Sequence, residues 1–306
     1  MLNVEIISDT APFGRLVCGL ARSDLDRPGV REELRSLWIE HGLVVFRGGD
    51  HDADFQVELS GCFGELQTHS VKEMLHPERS ELVMLYGEPG AGQVMDIDGE
   101  ELAGYIPWHQ DTKYTAESNH GGILQIVTLP KKGGDTGFID LIAAYDRLCD
   151  AMKQRCEKIE IAYRLFIADD NWKYLPYRTA KITTRADFQD ALEERVRGGA
   201  FPAVVHPLVF TQPETGRKVL NFSPCFACHV LGLEPAESEA FIRELAVHVM
   251  AEDSIYDHAW EAGDMVLWDN WRMVHCARGI PPGERRIGQR TTIAGDYALG
   301  RMLEAA

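Results

Sequence analysis

The residues of this 306-residue chain whose types and spacing best suit chemistry are two histidines and an aspartate. His109 and Asp111 are two positions apart, so in an extended chain an imidazole and a carboxylate project to the same face. A second imidazole follows an apolar run at His275. Two imidazoles and one carboxylate on one face of an octahedron leave room for a bidentate co-substrate and oxygen, as in non-haem iron oxygenases. We therefore predict that His109, Asp111 and His275 are catalytic ligands of Fe(II).

Each part of this pattern is weak by itself, because an H-x-D pair is often a hydrogen-bonded surface pair and a histidine after a strand is often structural. A basic cluster that includes Arg286 and Arg290 follows His275. A 2-oxoglutarate molecule bound to iron through its keto acid has a second carboxylate, which a guanidinium can hold by paired hydrogen bonds. These arginines could equally form a solvated edge, so charge alone leaves the two interpretations open.

The elements that must position these residues are predicted to be short strands with inserted helices. This order has no alternating strand–helix rhythm, which favours a β-sandwich or jelly roll over a doubly wound parallel sheet. Strands are predicted at residues 43–46, 122–128, 203–210, 218–222, 265–268 and 290–294, and helices at 26–41, 185–197 and 237–250. Residues 87–104 are rich in Gly and Asp, and we predict a long loop that acts as a lid.

Composition bounds the class of protein. The chain is 45% hydrophobic and 26% charged, with no internal repeat or linker, which predicts one domain over residues 1–306. Its formal charge of −17 argues against nucleic acids and anionic membranes as partners and favours a small molecule. The first residues have neither a basic region nor a long apolar run, which predicts a cytoplasmic protein without a signal peptide or transmembrane helix.

The seven cysteines are odd in number and scattered, a pattern that favours reduced thiols over a disulfide framework. Cys225, Cys228 and His229 match the C-x-x-C-H string of haem attachment. We discount this match because no export signal and no second cysteine pair accompany it.

Several further motifs occur in one collinear order, and together they resemble the TauD/TfdA family of Fe(II)- and 2-oxoglutarate-dependent oxygenases. They cover most of the chain and are more specific jointly than singly. They are Phe13-Gly14, residues 43–47, residues 63–66, Trp108 to Asp111, Gly-Gly-Asp-Thr at 133–136, Ala-Ala-Tyr at 143–145, Trp-Asp-Asn at 268–270, His275, and residues 290–296.

The resemblance implies a mainly β fold with flanking helices, namely a double-stranded β-helix (jelly roll, cupin-like), and the same three iron ligands. It implies that Thr136 and Arg286, the latter eleven residues after His275, hold the far carboxylate of 2-oxoglutarate. It also implies that Arg290, fifteen residues after His275, contacts an anionic group of the primary substrate. His69 occupies a place where the family often has a substrate-contacting histidine.

Other positions are less determined by the resemblance. Tyr105, Phe222 and Phe226 could add aromatic walls to a substrate pocket, although the two phenylalanines are at least as readily explained as core. Relatives commonly have arginine directly after Trp-Asp-Asn, where this chain has Trp271 followed by Arg272. We therefore expect the support of the distal histidine to differ.

The predicted function is hydroxylation of a C–H bond of a small anionic organic substrate. The reaction would use Fe(II), 2-oxoglutarate and O2 and would release succinate and CO2. One alternative is a non-catalytic β-barrel protein that binds a metal or keto acid, and another is a metal-dependent hydrolase or isomerase on a cupin-like barrel. Many relatives form dimers or tetramers, so a homo-oligomer is expected by analogy.

Overall fold

The structure is a computed structural model that describes residues 1–68, 75–90, 92–165, 173–185, 187–297 and 299–303. Its helices are α1 Val30–His41, α2 Ala53–Ser60, α3 Leu141–Asp146, α4 Asp150–Cys156, α5 Asp187–Arg197 and α6 Pro235–Val249, with 3-10 turns at Arg22–Asp26 and Glu252–Ser254. Its strands are β1 Asn3–Ile6, β2 Arg15–Cys18, β3 Leu43–Arg47, β4 Leu82–Gly87, β5 Val94–Ile97, β6 Glu100–Ala103, β7 Ile106–His109, β8 Gly121–Thr128, β9 Thr136–Asp140, β10 Glu160–Tyr163, β11 Ala180–Thr184, β12 Val204–Pro207, β13 Val209–Thr211, β14 Lys218–Leu220, β15 Ala227–Val230, β16 Tyr256–His258, β17 Met265–Asp269, β18 Met273–Ala277, β19 Arg286–Thr291 and β20 Arg301–Met302.

Two sheets provide the framework for the site. A seven-stranded sheet has the order β1-β2-β3-β17-β8-β19-β4, and a four-stranded sheet has the order β16-β9-β18-β7. Leu124 and Trp268 of the larger sheet pack in one buried cluster with Phe138 and Met273 of the smaller sheet. The two sheets therefore face each other across an apolar core, and the prediction of a mainly β protein is confirmed.

Helices α1 and α2 cover the other face of the larger sheet. Val30, Leu34 and Trp38 form a buried stripe at helical spacing and pack in one cluster with Ile123 and Leu267 of the sheet. The predicted helix at 26–41 begins only at Val30, because Gly29 adopts a left-handed φ of 83° directly before it.

A further region packs on the outer face of the smaller sheet. It contains the four-stranded sheet β15-β10-β12-β20, together with α3, α4 and α6. Val274 and Cys276 of β18 are buried in this outer cluster. Because side chains alternate along a strand, His275 between them projects inward, toward the larger sheet.

The loop prediction for residues 87–104 is wrong for much of that segment. Strands β5 and β6 form an antiparallel hairpin, and β5 also pairs with β11. Asp98 and Gly99 both have positive φ, 51° and 93°, as a two-residue type I′ turn requires. This Asp-Gly signal and the burial of Met95 and Ile97 stabilise strands in a segment whose glycines indicated a loop. A lid role for the segment stays a prediction.

Among the described residues, no helix is both long enough and apolar enough to cross a membrane.

Candidate metal centre

The structure brings together the three residues predicted as metal ligands. His109 ends β7, and its register partner in β18 is His275. Oδ1 of Asp111 lies 3.5 Å from Nε2 of His109 and 3.8 Å from Nε2 of His275. One ligand atom from each residue lies within 4.8 Å of the other two, and among the described residues no other group of three or more such side chains meets this spacing.

The surroundings of both imidazoles suit metal binding. Nδ1 of His109 lies 2.6 Å from the carbonyl oxygen of Pro107. Since a carbonyl can only accept, Nδ1 donates to it, and Nε2 is the nitrogen that faces Asp111. Burial, with the neighbouring His109, lowers the pKa of His275 to about 3. Two imidazoles and one carboxylate form a donor set that Fe(II) accepts.

Arg290 neutralises the carboxylate of this set. Its Nη1 donates to Oδ2 of Asp111 at 2.7 Å, so that one carboxylate oxygen faces the histidines and the other faces the arginine. Burial raises the pKa of Asp111, but Arg290, His109 and His275 outweigh burial and hold this pKa well below its usual range. Asp111 is therefore ionised at neutral pH. The residue predicted to contact the substrate thus lies in direct contact with a predicted metal ligand.

The backbone of Asp111 is held by Asn270, a residue to which the sequence assigned no role. The Asp111 N–H donates to Oδ1 of Asn270 at 2.7 Å, and Nδ2 of Asn270 donates to the Asp111 carbonyl at 3.0 Å. Nδ2 also lies 3.1 Å from the carbonyl of Asn119. Asn270 lies in the turn between β17 and β18, so this pair of bonds ties the turn after β7 to the turn that leads to His275.

The residue after Asn270 departs from the family pattern, and the structure shows what takes its place. Trp271 stacks between His120 and Tyr297, with ring centroids 3.7 Å and 3.9 Å away and interplanar angles of 10° and 13°. An aromatic stack therefore stabilises the turn that precedes His275.

Arg272, one position later, is buried and ion-paired. It donates to both carboxylate oxygens of Asp140, at 2.9 Å and 2.8 Å. Its Nη1 also donates to the carbonyls of Ile39 and Glu40, at 3.1 Å and 2.8 Å, in the last turn of α1. The side chain thus links β9, α1 and the turn before β18.

Thr136 and Arg286 are the residues predicted to hold 2-oxoglutarate. Thr136 lies two residues before Phe138, which is the register partner of His275, so Thr136 shares the inward face of His275. Arg286 lies four residues before Arg290 on β19, and alternation puts both on one face of that strand. The predicted co-substrate residues therefore lie on strands of the two facing sheets.

Arg286 has donors to spare for a ligand. Its Nε is buried and has no hydrogen-bond partner among the described residues. Burial lowers the pKa of this guanidinium to about 10, although Asp135 opposes the effect. Its Cδ would lie 3.2 Å from a Cβ at Gly134, so a side chain at that glycine would crowd the arginine. A buried cation with an unused donor fits a carboxylate such as the far end of 2-oxoglutarate.

Two predicted substrate contacts are not placed at the site. His69 lies outside the described residues. Tyr105 is buried, and its hydroxyl bonds with that of Tyr177 and lies 3.8 Å from Sγ of Cys276. Cys276 follows His275 in β18 and points to the opposite face. This placement counts against a substrate contact for Tyr105, which stays a prediction.

An aromatic side chain approaches His109, one of the three predicted ligands. The ring of Phe226 lies 6.3 Å from that of His109, nearly perpendicular to it, and Tyr114 lies 5.1 Å from Phe226. Phe222 and Phe226 are both buried in the outer cluster, as the core interpretation expected. Phe226 and Tyr114 therefore supply an apolar flank beside His109.

Comparison with known proteins identifies the family of the chain. Residues 9–292 match the sequence model of the family described as taurine catabolism dioxygenase TauD, TfdA family. The chain is 32% identical over 289 residues to the (S)-phenoxypropionate/α-ketoglutarate dioxygenase of Sphingobium herbicidovorans, and the match covers 94% of each chain. It is 31% identical to the α-ketoglutarate-dependent 2,4-dichlorophenoxyacetate dioxygenase of Cupriavidus pinatubonensis, with 87% of this chain and 89% of the relative covered.

The fold is also that of solved structures. A taurine dioxygenase from Burkholderia xenovorans superposes with a TM-score of 0.74 at 22% identity, over 99% of this chain and 97% of the other. The family match spans the two strands that carry the predicted histidine ligands, and it includes Asp111 in the turn after β7. The chain belongs to the TauD/TfdA family of Fe(II)- and 2-oxoglutarate-dependent dioxygenases, and is therefore an oxidoreductase that uses O2 as a co-substrate.

Proposed function

We propose that this protein hydroxylates a C–H bond of a small anionic organic molecule, with iron held by His109, Asp111 and His275. The observation that carries the proposal is the approach of one donor atom from each of these residues to within 4.8 Å of the others. When bound, Fe(II) together with 2-oxoglutarate supplies the activation of O2 that oxidises the substrate, with release of succinate and CO2.

The protein's own residues bind and orient the reactants. Arg286 and the Thr136 hydroxyl hold the far carboxylate of 2-oxoglutarate, which fixes the position of its keto acid end. The Pro107 carbonyl accepts a hydrogen bond from Nδ1 of His109, which leaves Nε2 as the nitrogen that binds iron, and burial keeps His275 neutral. Arg290 holds Asp111 as a carboxylate.

The primary substrate is proposed to be an anion held by Arg290. Only Nη1 of this guanidinium is used by Asp111, and its buried Nε has no hydrogen-bond partner among the described residues. The two relatives described above are named for phenoxypropionate and 2,4-dichlorophenoxyacetate, which both combine an aromatic ring with a carboxylate. Tyr114 and Phe226 beside His109 suit such a ring, so aryloxy carboxylates are the first class to test.

The finer description of fold and location belongs to the same proposal. The two facing sheets support a double-stranded β-helix, or jelly roll, that forms one domain over residues 1–306. All seven cysteines lie among the described residues and none forms a disulfide, which supports a reducing compartment such as the cytoplasm. The charge of −17 supports a small-molecule substrate and argues against nucleic acid or an anionic membrane as a partner.

The first experiment adds Fe(II) and 2-oxoglutarate to the metal-free protein under argon and follows the weak visible charge-transfer band of the chelate. We expect a band with the wild-type protein and its loss in Arg286→Ala at the same co-substrate concentration. Arg285→Ala is the matched control, because this neighbouring arginine is exposed and pairs with Glu88. It should leave the band unchanged.

The outcomes separate the alternatives. A folded wild-type protein that forms no band would contradict the assignment of ligands and co-substrate. A band without succinate on admission of O2, with or without candidate substrates, would support a binding protein that senses metal and keto acid. Activity with Zn(II) and without 2-oxoglutarate would support a hydrolase.

The substrate class is tested by coupling succinate formation to a panel of aryloxy carboxylates, alkyl carboxylates, sulfate esters and the uncharged methyl esters of the same acids. We expect turnover of at least one anionic class and none of its methyl esters. Arg290→Gln should raise KM for the anionic substrate more than it changes the affinity for 2-oxoglutarate. Equal turnover of acids and esters would contradict the role of Arg290.

A further inference from the structure

We propose that Trp260 is a positioning residue for 2-oxoglutarate, because its indole N–H fixes the Thr136 hydroxyl so that the O–H donates to the far carboxylate. This inference rests on the proposed function, in which Thr136 binds that carboxylate. No motif in the sequence pointed to Trp260, which lies just after β16.

The inference starts from one hydrogen bond. Nε1 of Trp260 donates to Oγ1 of Thr136 at 3.1 Å. An indole N–H can only donate, whereas a hydroxyl has one O–H donor and two acceptor lone pairs. The bond therefore fills a lone pair of Oγ1 and leaves the single O–H of Thr136 to donate elsewhere.

The described residues supply no acceptor for that O–H. Thr136 is only 4% exposed, and its hydroxyl makes no other hydrogen bond to a described residue. Buried polar groups are nearly always hydrogen-bonded, so the site has a directed donor that needs an acceptor. Thr136 shares the inward face of His275, where a carboxylate of 2-oxoglutarate would be that acceptor.

Trp260 is itself held in place by a buried polar network. Its ring meets that of His258 edge to face, at 4.7 Å and 88°. Nδ1 of His258 lies 3.1 Å from the Tyr256 hydroxyl, and its Nε2 lies 3.1 Å from Oδ2 of Asp264. Arg47 grips both oxygens of Asp264, at 2.8 Å and 2.6 Å. The indole is therefore oriented before any ligand binds, which lowers the entropic cost of ordering the hydroxyl.

This arrangement makes the Thr136 side of the site a donor toward the ligand. Arg286 on the facing sheet is also a donor only. Two donors suit a carboxylate, whereas a primary amide at the same place would bring N–H groups of its own. The pair formed by Trp260 and Thr136 thus favours 2-oxoglutarate over its C5 amide, 2-oxoglutaramate.

The test is a double-mutant cycle on the dissociation constant of 2-oxoglutarate, measured from the anaerobic visible band of the Fe(II) protein. Trp260→Phe keeps a ring and removes the N–H. Loss of one hydrogen bond predicts a dissociation constant about three- to tenfold higher. Thr136→Val should weaken binding at least as much, and adding Trp260→Phe to Thr136→Val should change it no further. Thr136→Ser, which keeps the hydroxyl, should bind nearly as well as wild type.

A merely structural role for Trp260 would give a different result. It would weaken Fe(II) or Mn(II) binding as well, whereas a positioning role leaves metal affinity unchanged. An effect of Trp260→Phe that is equal in the Thr136→Val background, or no effect in the wild-type background, would overturn the inference. Trp260→His, whose ring keeps an N–H, is a second variant in case Trp260→Phe does not fold, and it should recover part of the affinity.

The same measurement distinguishes a failure of this inference from a failure of the proposed function. If the wild-type protein forms no band, the proposed function fails. If it forms a band that Trp260→Phe does not weaken, only the role of Trp260 fails.

Discussion

Asn270→Ala is the substitution whose consequence the structure defines best. It removes the acceptor of the Asp111 N–H, at 2.7 Å, and the donor to the Asp111 and Asn119 carbonyls, at 3.0 Å and 3.1 Å. A buried polar group left without its partner costs about 1–3 kcal/mol. Asp111 is partly exposed, so the lower end applies to its two groups. We expect a loss of about 3–5 kcal/mol, a large share of the roughly 5–15 kcal/mol typical of a folded protein.

The loss should appear in two assays. Urea denaturation of the metal-free protein measures the free energy of unfolding, and titration with Mn(II), followed by the magnetic resonance signal of the free ion, measures metal affinity. Changes in residues that orient metal ligands typically weaken affinity about 10–100-fold, and we expect an effect in this range. Asn3→Ala, at an exposed position of β1, is the matched control and should change stability by less than about 0.5 kcal/mol.

A different substitution at Asn270 separates its two functions. Asn270→Asp keeps an acceptor for the Asp111 N–H but cannot donate to either carbonyl, and it adds a second negative charge beside Asp111. The new side chain has nearly the same size as asparagine. The variant should still have a lower free energy of unfolding than wild type, because it lacks the donor and adds a charge. If Asn270→Ala lost less than about 0.5 kcal/mol and kept its Mn(II) affinity, the reciprocal bonds to Asp111 would not be what positions this ligand.

Two further predictions concern buried charges. Burial raises the pKa of Asp264, but Arg47 and His258 outweigh it and lower this pKa to about 2, from an ordinary 3.8. The carboxylate therefore stabilises the fold fully above about pH 5, and its contribution falls by about 2 kcal/mol as the pH falls toward 2. In urea denaturation, the difference in free energy of unfolding between wild type and Asp264→Asn should narrow over that range. Arg272→Met leaves the buried Asp140 carboxylate unpaired and should lower the free energy of unfolding by about 3–5 kcal/mol. The double variant with Asp140→Leu should recover part of this loss. Equal stability of both single variants and wild type would contradict a structural ion pair.

The sequence predicted the parts of the site that depend on local spacing. The spacing of two positions correctly predicted that His109 and Asp111 lie close together, although Asp111 lies in the turn after β7 rather than in the strand, and the apolar run before His275 gave a buried strand. The same alternation put Arg286 and Arg290 on one face of β19. The convergence of these strands came from the family resemblance, because spacing within a strand says nothing about which strands pair.

Contacts between distant segments could not be predicted in this way. Asn270 bonds with Asp111, 159 positions away, and Trp260 donates to Thr136, 124 positions away. Tyr105 is predicted as an aromatic wall of the substrate pocket, but its ring packs in the outer core after the turn at Gly104, whose φ is 65°, and this placement counts against the prediction. Such outcomes depend on sheet register and on packing across the fold.

In the proposed function, the guanidinium of Arg290 contacts two anions, Asp111 and the substrate. One oxygen of Asp111 faces the histidines and the other faces Arg290, so a bound cation would draw charge from the carboxylate that the arginine now neutralises. Arg290 would then be freer to pair with the substrate. By thermodynamic linkage the reverse also holds, since an anionic substrate that engages Arg290 leaves Asp111 a stronger ligand. Metal and substrate should therefore bind with positive cooperativity, and an apo protein should have little affinity for its substrate.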